Sequence, residues 1–399
     1  MHTSGKVFEY DLQHTDRRTG ARAGLFSTPH GAIETPVFMP VGTQATVKTL
    51  TSGEVAELGA QILLGNTYHL FLRPGDTLLE QLGGLHRFMD WSRPILTDSG
   101  GFQVWSLSAR RTIDEDGVTF RSHLDGSSHR FTPERAMEIQ ARIGADIVMA
   151  FDECSAYGAT HAYATAAMER THRWLERCVR AQTQAHQALF GIVQGNLYPD
   201  LREQSAAFVA GQPVRGFGIG GLSVGEPKAE MYAILEHTTA VLPGDRPRYL
   251  MGVGSPEDLI EGVARGVDMF DCVLPTRIGR HAAAFTPTGR INLLNARWAA
   301  DDAPIEEGCD CLACRRYGRA YLRHLFKAEE ALGPRLATMH NVRFLIRLME
   351  QARAAIMEDR FYDFHREFLG RYQPVAEAVR TAQRSSYGRH PKQGVVPHA

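Results

Sequence analysis

Along the chain, a short apolar run ending in a polar residue or glycine recurs, each time followed by a stretch whose apolar residues return at helical spacing. The runs are PILTD ending at Asp98, IVMAFD at Asp152, LFGIVQ at Gln194, GFGIGG at Gly221, RYLMG at Gly252 and VDMFD at Asp271. Runs of this kind are what strands buried on both faces require, so they predict a parallel sheet. Helix signals lie between them. Thr132-Pro133-Glu134 is an N-terminal start, and Ser255-Pro256-Glu257-Asp258 is a second, with Asp258 at the capping-box position. Ala164, Ala167, Met168, Thr171, Leu175, Cys178 and Val179 fall on one helical face. Alternating strand and helix over this length predicts a (β/α)8 barrel or a doubly wound sheet, and in both the chemistry collects at the carboxyl ends of the strands. The polar endings would then converge on one mouth.

The pattern breaks near Asn295, where Asp301, Asp302, Pro304, Glu306 and Glu307 lead into a cluster of cysteines. Residues 1–294 are expected to form the main part of the core domain, 295–345 an insertion with a basic surface, and 346–381 helices that complete the domain, with 382–399 a flexible tail. Composition narrows the class. The 399 residues are 43% hydrophobic, ample for a large core, and 44 Lys plus Arg against 45 Asp plus Glu exclude a highly charged tail protein or a disordered acidic chain. No apolar run approaches the roughly 18 residues of a membrane span, and the first 20 residues lack the apolar stretch of a secretory signal. The expectation is a cytoplasmic protein with no membrane contact.

Six cysteines are too few for a disulfide scaffold, yet three of them fall within six residues, at Cys309, Cys311 and Cys314. Three thiolates need one more ligand to close a tetrahedron, and His340 and His324 both compete for that place. A closed Cys3His shell describes a structural zinc; the plain alternative is three unligated thiols. Around this cluster, residues 273–327 carry nine Lys plus Arg against five acids, a net of +4 in a chain whose total is −1. With Tyr317, Tyr321 and Phe326 interleaved, the segment could be a nucleic-acid face, although by itself it reads better as a solvated helix face with Arg stems over apolar neighbours.

The carboxylates carry the chemistry. Asp98 lies in DSGGFQ, where two glycines let backbone approach a ligand closely. Asp271 lies in DMFDCVLPTR at a strand end. Two carboxylates in one pocket can divide a glycosidic reaction, one attacking the anomeric carbon and the other handling protons. Asp152 suits a third task, because an ionised carboxylate only accepts hydrogen bonds and so matches a purine edge with adjacent N–H donors. Gln194 and the backbone N–H groups of Gly220, Gly221 and Leu222 suit a carbonyl oxygen on the same ring. Taken singly, each aspartate reads equally well as a helix cap or an ion-pair partner.

Together the motifs resemble a bacterial tRNA-guanine transglycosylase. They are NTYHL (66–70), DSGGFQV (98–104), GVTFRS with DG (117–126), DEC (152–154), GIVQG (191–195), GGLSVGE (220–226), RYLMGV (248–253), DCVLPTR (271–277), CDCLAC (309–314), HLFKA (324–328) and HN (340–341), in the family's order over nearly the whole chain. The resemblance implies a (β/α)8 TIM barrel with a zinc-binding insertion near its C-terminus. It implies exchange of the wobble guanine of GUN-anticodon tRNAs (Asp, Asn, His, Tyr) for 7-aminomethyl-7-deazaguanine (preQ1), a step in queuosine biosynthesis, by a homodimer. Asp271 would be the nucleophile that holds the ribose covalently, and Asp98 the general acid and base. Asp152, Gln194 and Gly221 would read the base edge, with Ser99, Gly100, Gly101, Cys154, Gly220, Leu222 and Tyr249 around it. Phe102 and Met251 would sandwich its faces, worth about 1–3 kcal/mol of stacking.

By the same resemblance Cys309, Cys311, Cys314 and His340 are the zinc ligands, which puts His324 aside. Gly252, Val253, Gly254, Ser255, Pro256, Glu257 and Asp258 match one anticodon-binding segment, and Thr276, Arg277, Ile278, Gly279 and Arg280 the other. The chain departs from the family where Ile278-Gly279-Arg280-His281-Ala282 replaces the common NARNG, where Ser155-Ala156 follow Cys154 in place of Thr-Pro, and where Ser223 stands for a frequent alanine. Cys178 and Cys272 read as buried small hydrophobes and His69 as a supporting or core residue. Retention of Asp98, Asp152 and Asp271 argues against a non-catalytic, zinc-bearing RNA-binding partner subunit on the same scaffold. A metal-dependent barrel hydrolase would need histidines where the strand ends carry Asp, Gln and Gly.

Overall fold

A computed structural model describes residues 7–107 and 111–375. Eight parallel strands close into a barrel: β1 (Val37–Gly42), β2 (Leu63–Gly65), β3 (Ile95–Thr97), β4 (Ile147–Met149), β5 (Ala188–Val193), β6 (Gly216–Ile219), β7 (Arg248–Leu250) and β8 (Met269–Cys272), with β8 pairing back onto β1. This is the (β/α)8 alternative; the doubly wound sheet is not formed. Both faces of the strands are buried. Inside the barrel Met39, Val41, Leu64, Leu96, Met149, Phe190, Ile192 and Met269 fill the lumen, while Phe38, Leu63, Val148, Leu189, Phe217 and Phe270 face the surrounding helices. That double burial removes the polar alternation and produces the continuous apolar runs seen in the sequence.

The helix signals are mostly realised. Thr132 caps Pro133–Ile143, its hydroxyl oxygen accepting the Arg135 N–H at 3.2 Å. His161–Ala181 buries Ala164, Ala167, Met168, Thr171, Leu175 and Cys178 along one face. The second start signal works differently from the expectation. Helix Pro256–Ala264 begins where predicted, but the Ser255 hydroxyl donates to Asp258 Oδ2 at 2.6 Å instead of accepting a helix N–H, so no capping box forms.

Two antiparallel sheets decorate the barrel, and neither was read from the sequence. Strands Tyr10–Thr15, Arg22–Thr28 and Gly31–Thr35 close the amino-terminal end of the barrel, where Phe26 meets Phe190 of β5 edge-on at 5.7 Å. Buried Arg22 holds this plug to Asp268, just before β8, at 2.7 Å. Strands Arg111–Asp114, Gly117–Arg121 and Ser128–Phe131 follow β3 and lean Phe120 and Phe131 towards Tyr68 and Phe71, beside the carboxyl end.

After β8 come a hairpin (Ala283–Thr286, Gly289–Asn292), two helices (Leu312–Arg316, Arg319–Lys327) and the 26-residue helix Leu332–Met357, which passes through the expected limit at residue 345. This long helix packs on helix Leu274–Gly279, on the hairpin and on β1, so it joins the insertion to the barrel wall. The expected tail, 382–399, lies outside the described residues. Among those described, no helix is long and apolar enough to cross a membrane.

Candidate active site

Asp98 follows β3, Asp152 lies three residues beyond β4, Gln194 and Gly220 follow β5 and β6, Met251 follows β7, and Asp271 is the third residue of β8. All therefore stand at the carboxyl end of the barrel. The carboxylate of Asp98 accepts the Asn66 side-chain amide on Oδ2 at 2.6 Å and the Thr67 N–H on Oδ1 at 2.9 Å. Asn66 is itself fixed, because its Oδ1 caps helix Thr67–Leu72 by accepting the His69 N–H at 3.2 Å. Burial pushes the Asp98 carboxyl up to about 7, with the charges of Asp271 and Asp152 adding to the rise and the Thr67 and Gly100 N–H groups opposing it. Both Asp271 and Asp152 thus lie within electrostatic reach of Asp98 in a poorly screened space.

Asp271 has a different backing. Its Oδ1 accepts both the Tyr249 hydroxyl at 2.6 Å and the Gly252 N–H at 2.7 Å. Burial raises this carboxyl too, but both bonds favour the charged form and pull the other way. Tyr249 is 1% exposed, and burial followed by the Asp271 charge pushes its phenol far up, so it remains a donor. The structure places Tyr249 behind the acid, inside the barrel lumen.

Asp152 Oδ2 accepts the Gln194 amide at 2.8 Å and Oδ1 accepts the Ser99 hydroxyl at 3.3 Å, while burial lifts the carboxyl to about 6. Gln194 Oε1 is buried and has no hydrogen-bond partner among the described residues. A buried carbonyl left unpaired costs about 1–3 kcal/mol, so Gln194 Oε1 is an acceptor open to a donor at this position. Gly221 makes room for it: at φ +68° a Cβ would strain the backbone and stand 2.6 Å from Gln194 Oε1. A Cβ on Gly101 would meet the Asp152 carbonyl at 2.8 Å, so the DSGG loop is packed directly on Asp152. Phe102, 43% exposed, and the half-buried Met251 are the large apolar side chains at this mouth, with Leu222 buried beside Gly221. Cys154 is buried and its thiol is pushed up to about 12, so it is a neutral wall group. Cys178 is fully buried, whereas Cys272 is only half-buried. His69 is half-buried and burial lowers its ring to about 4, a neutral supporting residue.

Cys309, Cys311, Cys314 and His340 gather their ligand atoms within 4.8 Å of one another. His340 Nδ1 stands 3.6, 3.8 and 3.3 Å from the three sulfurs in turn. A tetrahedral zinc with ordinary Zn–S and Zn–N bonds sets that separation at about 3.5 Å. His340 Nε2 lies 2.7 Å from the Phe285 carbonyl, a bond that leaves Nδ1 as the metal-facing lone pair. The donor set thus fits a zinc ion with no open position. His340 lies eight residues inside helix Leu332–Met357; His324 is exposed on helix Arg319–Lys327.

A family model described as queuine tRNA-ribosyltransferase matches residues 16–374. The chain belongs to that family. The queuine tRNA-ribosyltransferase of Herpetosiphon aurantiacus is 66% identical over 379 residues, 95% of this chain and 96% of the relative. That of Desulforamulus reducens is 58% identical over 358 residues, 90% of this chain and 97% of the relative. That of Symbiobacterium thermophilum is 56% identical over 380 residues, 95% of each. Membership of the queuine tRNA-ribosyltransferase family makes the chain an enzyme of the transferase class.

In this family member, the two segments expected at an RNA surface flank the mouth and are largely turned inward. Val253, Gly254, Pro256, Glu257, Thr276, Ile278 and Gly279 are buried; Gly252 is exposed, and Ser255, Asp258, Arg277 and Arg280 are partly so. Lys228 ties Glu257 and Asp258 together at 2.5 Å each. In the insertion Arg319 pairs with Asp301 at 2.6 Å, and Arg297 and Arg319 lie over Trp298, while Arg315, Arg316 and Lys327 are exposed.

Sequence reasoning gave no role to several groups that shape the pocket. Asn66 and Thr67 hold Asp98; the NTYHL motif contained them, and the Asn before a helical run was the available signal. Arg202, fully buried, donates to the carbonyls of Val193, Asn196 and Gly220 at 2.8–3.1 Å and so ties the ends of β5 and β6. Glu226 accepts the N–H groups of Ser223, Val224 and Gly225 and fixes the loop after Leu222. Neither carries a sequence signal, since each acts on backbone brought near only by folding.

Proposed function

We propose that this protein exchanges the wobble guanine of GUN-anticodon tRNAs (Asp, Asn, His, Tyr) for preQ1 through a ribose covalently held on Asp271. The observation that carries the reading is the pocket's division of labour: one acid at about 7, a second backed by Tyr249 and Gly252, and an edge-reading Asp152–Gln194 pair with an unpaired acceptor at Gln194 Oε1. Guanine offers N–H donors from its Watson–Crick edge to Asp152, and the backbone around Gly221 and Leu222 faces its carbonyl. A stacked base cannot present its anomeric carbon, so the nucleotide is extruded into the mouth at a cost of a few kcal/mol, with Phe102 and Met251 on its faces.

With Tyr249 and Gly252 both on Oδ1, Asp271 attacks C1′ through Oδ2. The C1′–N9 bond breaks, its electron pair stays on guanine, and protonated Asp98 supplies the proton to N9. After guanine leaves, preQ1 enters, ionised Asp98 takes its N9 proton, and N9 attacks C1′ as the ester bond to Asp271 breaks. Atoms, charge and Asp98 protonation return to the starting state. A carboxyl near 7 can run both directions close to neutral pH.

A zinc ion held by Cys309, Cys311, Cys314 and His340 supplies structure and no chemistry at the pocket. His340 and its neighbour Asn341, which bonds Pro275, Ala283 and Phe285, brace the segment that follows Asp271. The proposed setting is the cytoplasm and the proposed assembly a homodimer, since a tRNA footprint exceeds one barrel mouth. Incubation with tRNA and labelled guanine tests the activity. Label entering tRNA is expected; bound tRNA without incorporation would instead identify a non-catalytic RNA-binding partner subunit.

A further inference from the structure

At the end of the barrel opposite the acids, three residues from separate elements meet. His30 lies at the tip of the hairpin joining Arg22–Thr28 to Gly31–Thr35, His86 lies in helix Gly84–Met89, and Asp146 immediately precedes β4. Asp146 is buried, and its Oδ2 is fixed by the Ile95 N–H at 2.9 Å. His30 Nδ1 approaches Oδ1 at 2.7 Å and His86 Nε2 approaches Oδ2 at 3.2 Å. The His86 contact is misaligned, for Nε2 is buried and has no hydrogen bond. All three ligand atoms fall within 4.8 Å of one another. The two imidazoles are stacked, 3.7 Å between centroids and 14° between planes.

We infer that His30, His86 and Asp146 form a second metal site, for Zn2+ or a similar borderline divalent cation, that clamps the N-terminal sheet to the floor of the barrel. Two imidazole nitrogens and a carboxylate are the donor set of first-row transition ions, whereas Mg2+ and Ca2+ take oxygen ligands. The cation gives His86 Nε2, which among the described residues has only the misaligned contact to Asp146, a well-directed partner. Ile95 supplies the outer-shell bond that orients the carboxylate, as metal-ligating carboxylates generally require. A metal cannot lie in the planes of two parallel rings at once, so one ring must turn as the ion binds. That ring is His30, whose side chain is 41% exposed at a hairpin tip, against 13% for His86. Three protein ligands leave the fourth position to water, which makes this an exchangeable site, distinct from the closed thiolate cluster at residues 309–340.

The test uses the full-length holoprotein dialysed to equilibrium against micromolar free Zn2+, with bound metal counted by elemental analysis and melting followed in parallel. Two zinc ions per chain are expected for the wild type, and one for His86→Gln and for His30→Gln. Adding Zn2+ should raise the wild-type melting temperature by about 2–5 °C and leave both variants unmoved. His30 sits at a hairpin tip with its side chain 41% exposed, outside the core, so the test stands on His30→Gln even if His86→Gln folds poorly. One zinc ion in the wild type, or a second ion retained by His30→Gln, overturns the assignment.

Discussion

Asp98 and Asp271 are the same side chain set to different tasks by what lies behind them. Asp98 has an ordinary value of 3.8 and stands at about 7 in the fold. The folded protein therefore binds more protons than the unfolded chain between those limits, and the stability held below pH 4 is lost as pH rises through 7. Asp98→Asn removes that loss, so its melting temperature relative to wild type should climb between pH 4 and pH 8, by a stability on the order of 2–4 kcal/mol. A gap that shrinks over that range would mean Asp98 is not a buried, late-ionising acid. Tyr249→Phe deletes a hydrogen bond to a charged acceptor, worth about 1.5–3 kcal/mol. Rapid-quench kinetics should show covalent capture of tRNA slowed roughly 10- to 100-fold at unchanged tRNA affinity. At this scale the sequence was informative about position: Asp98, Asp152, Gln194 and Asp271 were expected at strand ends and stand there. It was silent where a residue acts through a partner brought near by folding, as with Asn66 on Asp98, Tyr249 on Asp271, and Arg202.

Among the elements, six barrel strands were legible because burial on both faces leaves an unbroken apolar run. The other two were not: β1 contains Pro40, a residue that argues against a central strand, while β2, Leu63–Gly65, is no shorter than the legible β3, β4 and β7, so its length does not explain the miss. The two three-stranded antiparallel sheets were missed because strands such as Tyr10–Thr15 and Arg111–Asp114 are mostly exposed, so periodicity gives little. In the proposed reaction, the backbone of the loop after β6 sets base specificity. Gly221→Ala places a Cβ 2.6 Å from Gln194 Oε1 on a left-handed residue. The expected outcome is a guanine KM at least about tenfold higher, since removing a hydrogen bond to the base costs more than about 1 kcal/mol, with a cooperative melt retained. An unchanged KM would take the base away from Gln194.

Across the whole molecule, the zinc-fitting cluster and the long helix Leu332–Met357 connect the insertion to the wall behind Asp271. Cys311→Ser should lose the metal, lower the melting temperature by several degrees, and increase hydrogen exchange in residues 275–292 before the rest of the barrel. Exchange unchanged there would separate the cluster from the site. Family and barrel were both readable from motifs spread along the chain, while the inward turn of Glu257 and Asp258 onto Lys228 was not, because it depends on a partner about 30 residues away in sequence. The central claim is that the ribose is carried on Asp271. Its most direct test is peptide mass spectrometry after acid quench of enzyme with tRNA in the absence of preQ1, followed by nuclease digestion. A ribonucleotide remnant on the peptide containing Asp271, absent in Asp271→Asn, is the predicted result; a remnant on Asp98, or base exchange by wild type with no protein-bound ribose at any time point, would contradict it.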